Sequence, residues 1–203
     1  AIIGELFLTG KFNATRTVAL AGSEVKDAQY YNVISGAAIA DLVAGKIKGD
    51  NVRVISGDVL TGAKVKMDGN LGFLSNTVTV IPEGNVYRMF GWMPFASPSV
   101  HSASRTGLSW LMPGKKYAPN TNLNGEERAL VVTGEMEAVM PLDIFPMQLL
   151  KACLASDIDK MESLGIYEVA PEDFALIDYT NTSKLEAQQI IREALDLMIK
   201  EVG

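Results

Sequence analysis

Residues Pro141 to Lys184, PLDIFPMQLLKACLASDIDKMESLGIYEVAPEDFALIDYTNTSK, are the stretch whose reading decides the fold. Prolines and a glycine punctuate it into three short helices, and a fourth runs on to the end of the chain. Pro146 suits a first-turn position, and Met147, Leu150 and Leu154 share one face. Ser156 with Asp159 three residues on resembles a capping pair; Ile158 and Met161 follow, and Gly165 ends that helix. Pro171-Glu172-Asp173 opens the third helix with two carboxylates where the dipole favours them. Ser183-x-x-Glu186 has the form of a capping box, and Ile191, Ala194, Leu195, Met198 and Val202 continue as an apolar stripe. A four-helix bundle is therefore expected over residues 140–203. Helix ends gathered in this way can hold an iron–sulfur centre when they offer several thiolates. Cys153 is the only cysteine in the chain, and one thiolate cannot hold a cluster.

Upstream, the periodicity changes from helical to strand-like. Arg16 to Ala21 (RTVALA) alternates as a half-buried strand and stops at Gly22-Ser23. Tyr30 to Ile34 (YYNVI) reads as a second strand, and Ile39, Leu42 and Val43 then fall at helical spacing, with Gly45 as the stop. Val52 to Ile55 (VRVI) and Asn76 to Ile81 (NTVTVI) are further strands, each closed by a turn signal. Val86 to Phe90 (VYRMF) is expected to pair back across Pro82-Glu83-Gly84 as a hairpin, and Ala129 to Val132 (ALVV) to form a short strand. Strands with one short helix after the second fit either a β-grasp module or an open mixed sheet, and spacing does not separate the two. From Gly91 to Gly134 the periodicity fades. Trp92, Met93, Phe95, Trp110, Leu111 and Met112 are too apolar for a free linker, which points to packing against a neighbouring domain.

The chemistry the residues allow is narrow. The chain has 203 residues, 48% of them hydrophobic, enough for one large or two small domains with a real core. A formal charge of −6 with scattered cations, Lys115-Lys116 being the densest pair, disfavours a nucleic-acid partner. A single cysteine fits a reducing compartment, and no apolar run reaches the roughly 18–20 residues a membrane helix needs. The first residues, Ala1-Ile2-Ile3-Gly4, read as the interior of a longer polypeptide. His101 is the sole histidine, in a polar loop with no strand-turn-helix nucleophile nearby, and reads as a surface or interdomain residue. One histidine and one cysteine do not make a zinc site, and Asp157-x-Asp159 with Glu162 lacks the glycine and distal glutamate of a calcium loop. Cys153 sits among Leu149, Leu150 and Leu154 and reads as a buried, inert thiol. No G-x-G-x-x-G or Walker pattern offers a nucleotide a home. No catalytic residue and no metal site is assigned.

IGELFLTGKFNATRTVALAG, VRVISGDVLTG, FGWMPF, NGEER, VMPLDIFPMQLL and APEDFAL, in that order, resemble the A-subunit of the sodium-translocating NADH:quinone oxidoreductases. The match covers this whole chain but only the C-terminal half of the family's polypeptide, without its Rossmann-like N-terminal part. The resemblance implies an α+β protein. Residues 1–13 would be a connector, 14–90 a β-grasp-like domain of the SLBB (ligand-binding β-grasp) type, and 91–139 a long interdomain segment. Residues 140–203 would be a helical domain related to that of the complex I flavoprotein. Many members of the family carry a C-x-x-x-C pair directly after a segment like Glu172 to Leu176; here those positions are Ile177 and Asn181. The resemblance also implies a peripheral role at the cytoplasmic face of the bacterial inner membrane. The partners would be the other subunits of the sodium pump, which would hold the flavins and iron–sulfur centres that carry electrons from NADH to ubiquinone. For ubiquinone itself, the aromatic stretch offers Trp92, Phe95 and Trp110 as cleft candidates. A stand-alone β-grasp module for a small ligand is the alternative, marked by a polar pocket beside Ser56 to Gly62.

Overall fold

The computed structural model describes residues 2–91, 100–103, 105 and 107–202. The chain divides into two compact units, Ala1–Asn85 with Ala118–Thr121, and Val86–Tyr117 with Asn122–Gly203.

The first unit holds a helix, Ile2–Thr9 (α1), then strands Thr15–Ala21 (β1) and Gln29–Ile34 (β2), and a short helix, Ile39–Val43 (α2). Strands Val52–Ser56 (β3), Ala63–Val65 (β4) and Thr77–Pro82 (β5) complete it. The sheet order is β2-β1-β5-β3-β4. β1 and β2 form an antiparallel hairpin with Val18 opposite Tyr31, whereas β5 runs parallel to β1, with Leu20 opposite Val78. A parallel pair cannot be closed by a tight turn, so the chain must cross over between β1 and β5. The crossing carries α2, whose Ile39, Leu42 and Val43 cover the inward side chains Val18, Leu20, Val54, Val78 and Val80. β1 shows the expected alternation, while β5 is buried nearly throughout because it is the central strand. Gly22 lies at φ 121° where the chain leaves β1, and a Cβ there would overlap the Val80 carbonyl oxygen. Hairpin, crossing helix and return to the middle of the sheet make a mixed α+β arrangement consistent with an SLBB domain.

One expectation fails here, and one strand is unforeseen. Val86 to Phe90 forms no strand, because β5 already has β1 on one side and β3 on the other and has no free edge for a hairpin partner. The Val86 amide instead donates to the Asn122 side chain, 2.9 Å away, and Phe90 lies at φ 55°. Strand β4 has no counterpart in the sequence expectation; three residues, mostly exposed, are too few to show an alternating pattern.

The second unit contains a 3₁₀ turn at Leu108–Leu111 and helices Pro146–Leu154 (α3), Ile158–Ser163 (α4), Ala175–Thr180 (α5) and Ala187–Glu201 (α6). Further 3₁₀ turns lie at Ile166–Glu168 and Pro171–Phe174. Met147, Leu149, Leu150, Met161, Ile166, Phe174, Ile177, Ile191 and Met198 make one continuous core. Leu154, expected on the inner face of α3, is exposed, and so is Val202 at the far end of the α6 stripe. Ala129 to Val132 is not a strand; its backbone is held by Ser183, whose Oγ donates to the Ala129 carbonyl at 3.2 Å.

The helix starts are capped differently from the sequence expectation. Asp157, not Ser156, caps α4 by accepting the Lys160 amide at 3.2 Å, while Ser156 takes the left-handed φ of 54° that ends α3. Ser183 and Glu186 do not form a box on α6, because Ser183 is committed to Ala129 and Glu186 makes no side-chain cap. The cap comes from α5. Asp178 accepts the Ala187 amide at 2.5 Å, the Gln188 amide at 3.4 Å and the Gln188 side chain at 2.8 Å. At the turn Pro171–Phe174, Asp173 accepts the Ala170 amide at 2.8 Å.

Candidate functional site

The aromatic stretch is the one the sequence singles out, and its described part sits in the second unit. Trp92 and Phe95 lie outside the described residues. Trp110 lies on the 3₁₀ turn Leu108–Leu111 with 54% of its surface exposed, flanked by exposed Leu111 and Met112. Ser109, the buried member of that turn, anchors it: its Oγ accepts the Ser102 amide at 2.8 Å, and Ser102 Oγ accepts the Gly107 amide at 3.0 Å. These bonds hold the tryptophan turn against the backbone that follows His101.

His101 is itself part of a ring cluster. Its Nδ1 lies 3.0 Å from the Tyr179 hydroxyl, and the two rings stack with centroids 6.0 Å apart. Tyr117 meets the imidazole edge-on at 5.3 Å, and the Lys115 ammonium sits 5.3 Å from the Tyr117 ring. Burial pushes the Tyr179 phenol above its ordinary value. The Tyr117 hydroxyl is buried without a hydrogen-bond partner among the described residues. The cluster joins residues 101, 117 and 179, which no local motif links; the only signal in the sequence is that the sole histidine lies near an aromatic-rich stretch. A flat, exposed imidazole–phenol stack can bind a planar ring by stacking, with one hydroxyl to orient it.

The carboxylates converge on structural duties instead. Asp157, Asp173 and Asp178 hold helix or turn starts, and Glu135 accepts the Thr182 amide and hydroxyl, each at 2.8 Å. Among the described residues, no group of three or more His, Cys, Asp or Glu side chains is placed to hold a metal ion. Cys153 is buried in the helical core, and desolvation pushes its thiol up to about 11, far from the thiolate a ligand or nucleophile needs. Ile177 and Asn181 are both buried. The Asn181 side chain donates to the Ile177 carbonyl at 2.9 Å and the Leu185 carbonyl at 3.2 Å, and accepts the Leu185 amide at 3.2 Å. Asparagine there ties the turn between α5 and α6.

In the sheet unit, the polar groups around Ser56 to Gly62 are consumed internally. Ser56 Oγ accepts the Gly72 amide at 3.0 Å and lies 2.9 Å from Ser75 Oγ, and Asp58 accepts the Leu60 and Thr61 amides. An open cleft of about 400 Å³ lies elsewhere, between β2 and α2, lined by Tyr31, Val33, Ala37, Asp41 and Lys46 among others. The Lys46 ammonium there sits 3.8 Å from the Tyr31 ring centre and donates to the Leu42 carbonyl at 2.8 Å. Among the described residues no helix is long and apolar enough to cross a membrane.

A mixed sheet with a crossing helix, and a helical unit whose acids serve as caps, define a protein of the α+β class. Residues 17–67 match the family described as NQRA C-terminal domain. Over 200 residues, 98% of its length, the chain is 38% identical to the A-subunit of the Na(+)-translocating NADH-quinone reductase of Neisseria meningitidis serogroup B. It is 40% identical over 200 residues to the protein of the same name from Serratia proteamaculans, and 38% over 202 residues to that of Hahella chejuensis. The chain spans 44% of the length of each of these relatives. It belongs to this A-subunit family and corresponds to its C-terminal part.

Proposed function

We propose that this chain serves as a peripheral, redox-cofactor-free part of a sodium-translocating NADH:ubiquinone reductase at the cytoplasmic face of the bacterial inner membrane. The observation that carries this reading is the 38–40% identity over 98% of the chain to proteins of that name. In this role it docks on the other subunits of the pump, and those subunits hold the flavins and iron–sulfur centres that pass electrons from NADH. A single buried cysteine supports that division, since cluster ligation needs several accessible thiolates. Sodium crosses through membrane-spanning partners, because a path for an ion through the bilayer needs buried polar groups within spanning helices. The α3–α6 unit acts as the four-helix domain of this family, related to that of the complex I flavoprotein.

The aromatic stretch contributes to ubiquinone binding through Trp110, Trp92 and Phe95. The exposed indole, on a turn bonded to Ser102 next to His101, supports this, as a quinone ring asks for planar apolar contact and a hydrogen-bond donor. Titrating a short-chain ubiquinone into the full-length protein while following indole fluorescence tests it. Saturable quenching at about micromolar quinone, lost in Trp110→Ala, is expected; strictly linear, non-saturating quenching would move the quinone site elsewhere. The open cleft between β2 and α2 favours a second reading, a β-grasp receptor for a small soluble ligand. In that case ligand-induced protection would map to Tyr31 and Lys46.

A further inference from the structure

Helix α1 is eight residues, IIGELFLT, and none of its side chains is buried. Ile3, Phe7 and Leu8 are 72%, 86% and 89% exposed, and Phe12 just beyond is also exposed. Ile2 and Leu6, and Ile3 and Phe7, stand one turn apart, so they form an apolar arc along one side. Glu5 and Thr9 border that arc next to Ile2 and are tied down locally, while Leu8 stands exposed on the far side. Thr9 Oγ1 donates to the Glu5 carbonyl at 2.7 Å, and the Asn13 amide donates to the Glu5 carboxylate at 3.3 Å. The helix thus bonds Glu5 and Thr9 within its own connecting turn and leaves Ile3, Phe7 and Leu8 facing outward. An eight-residue helix is too short to persist in water without tertiary packing, and an outward arc of this composition calls for a cover.

We infer that the apolar side of α1 is the docking surface for the remainder of the A-subunit, the part that relatives carry beyond the segment shared with this chain. The chain spans 44% of those relatives, so more than half of their polypeptide is available as the cover. As this chain corresponds to the family's C-terminal part, that remainder joins the polypeptide on the α1 side. Tethering gives it an effective concentration of order millimolar at this helix, which a separate molecule does not reach. A lipid surface fits poorly, because helices that lie on membranes carry Lys or Arg on the polar side, and here that side carries Glu5. A second copy gains no such tethering. The inference rests on family membership and not on the proposed quinone role, so the two fail separately.

The test uses the full-length protein, pure and free of membranes, with benzoylphenylalanine in place of Phe7. Illumination is expected to yield an intramolecular cross-link from position 7 to the part of the polypeptide outside this 203-residue segment. Cross-links to residues 86–203, to a second copy, or to another protein or lipid only after assembly would overturn the inference. Amide exchange supplies an independent readout. In the unmodified full-length protein, residues 2–9 should exchange at least ~10-fold slower than a free peptide at any protein concentration. Phe7→Ser with Leu8→Ser should abolish that protection while β1 and β5 stay protected. Free-peptide exchange in the unmodified protein, or protection that survives both substitutions, would equally defeat it.

Discussion

The sheet unit and the helical unit use their charged residues in opposite ways. In the sheet unit the main ion pair lies where β3 begins and β5 ends: Arg53 forks onto Glu83 at 2.5 and 3.1 Å, with Lys64 and Thr121 adding 3.3 and 2.9 Å contacts. In the helical unit Asp157, Asp173 and Asp178 bond to backbone amides and replace the hydrogen bonds that helix and turn starts lack, Asp178 doing so for α6. One unit wears its charges on top of an apolar core that is already complete; the other needs them to let short helices begin at all. Short helices gain little from propensity and depend on caps and packing, so the helical unit should be the more sensitive to loss of a single acid.

Asp178 gives the largest expected effect. Asp178→Ala leaves the amides of Ala187 and Gln188 without their acceptor and is expected to cost about 2 kcal/mol in the denaturant unfolding of the helical unit. Burial raises the Asp178 pKa, so folding favours its protonated form. That contribution is fully present below the unfolded value and is lost as pH rises through the folded one. Asp178→Asn keeps an acceptor oxygen and drops the charge; it should cost less than alanine and remove that pH dependence. Equal losses for the two variants would show that the cap is not what holds α6, and the contrast between the units would fall.

That cap also shows where sequence reading stops. The existence of each C-terminal helix is legible from Pro146, Gly165, Pro171 and the Ile191–Met198 stripe, because proline, glycine and apolar spacing act locally. The caps are misread because a serine followed by an acid three residues on is only a local pattern, whereas Asp178 reaches α6 across nine residues of chain. The same limit hides β4 and suggests a hairpin at Val86 that the central place of β5 forbids. At the candidate site, the sequence points to Trp110, but the neighbours of His101 come from positions 117 and 179 and require the fold.

Glu83 sharpens the comparison from the other side, with a smaller effect. Its hydrogen bond from Arg53, helped by Thr121 and Lys64, lowers its pKa from 4.5 to about 2. A depressed carboxylate stabilises the fold above its unfolded value and loses that contribution as pH falls toward the folded one. Acid titration of stability between pH 4.5 and 2 should therefore be steeper in the native chain than in Glu83→Gln. At pH 7 the substitution should cost about 1 kcal/mol, since the pair is partly solvated. Parallel acid curves for the two proteins would remove Glu83 from the account.

The smallest effect tests the helical unit by improving it. Helices α3 and α4 end in the same way, with a left-handed residue after the last turn: Ser156 at φ 54° and Gly165 at φ 87°. At the end of α3 the Ser156 amide donates to the Cys153 carbonyl and the Asp157 amide to the Ala152 carbonyl, both at 3.0 Å, which closes the helix and delivers Asp157 to cap α4. Serine bears a steric cost in that conformation that glycine does not, while its hydroxyl lies exposed at the surface. Ser156→Gly should accordingly stabilise the chain by roughly 0.5–1 kcal/mol, a rise in thermal midpoint with no change in the α4 cap. Glycine also loosens the unfolded chain, which works against the gain. A net destabilisation would mean that the joint between α3 and α4 is held by chain stiffness and not by the two hydrogen bonds that close it.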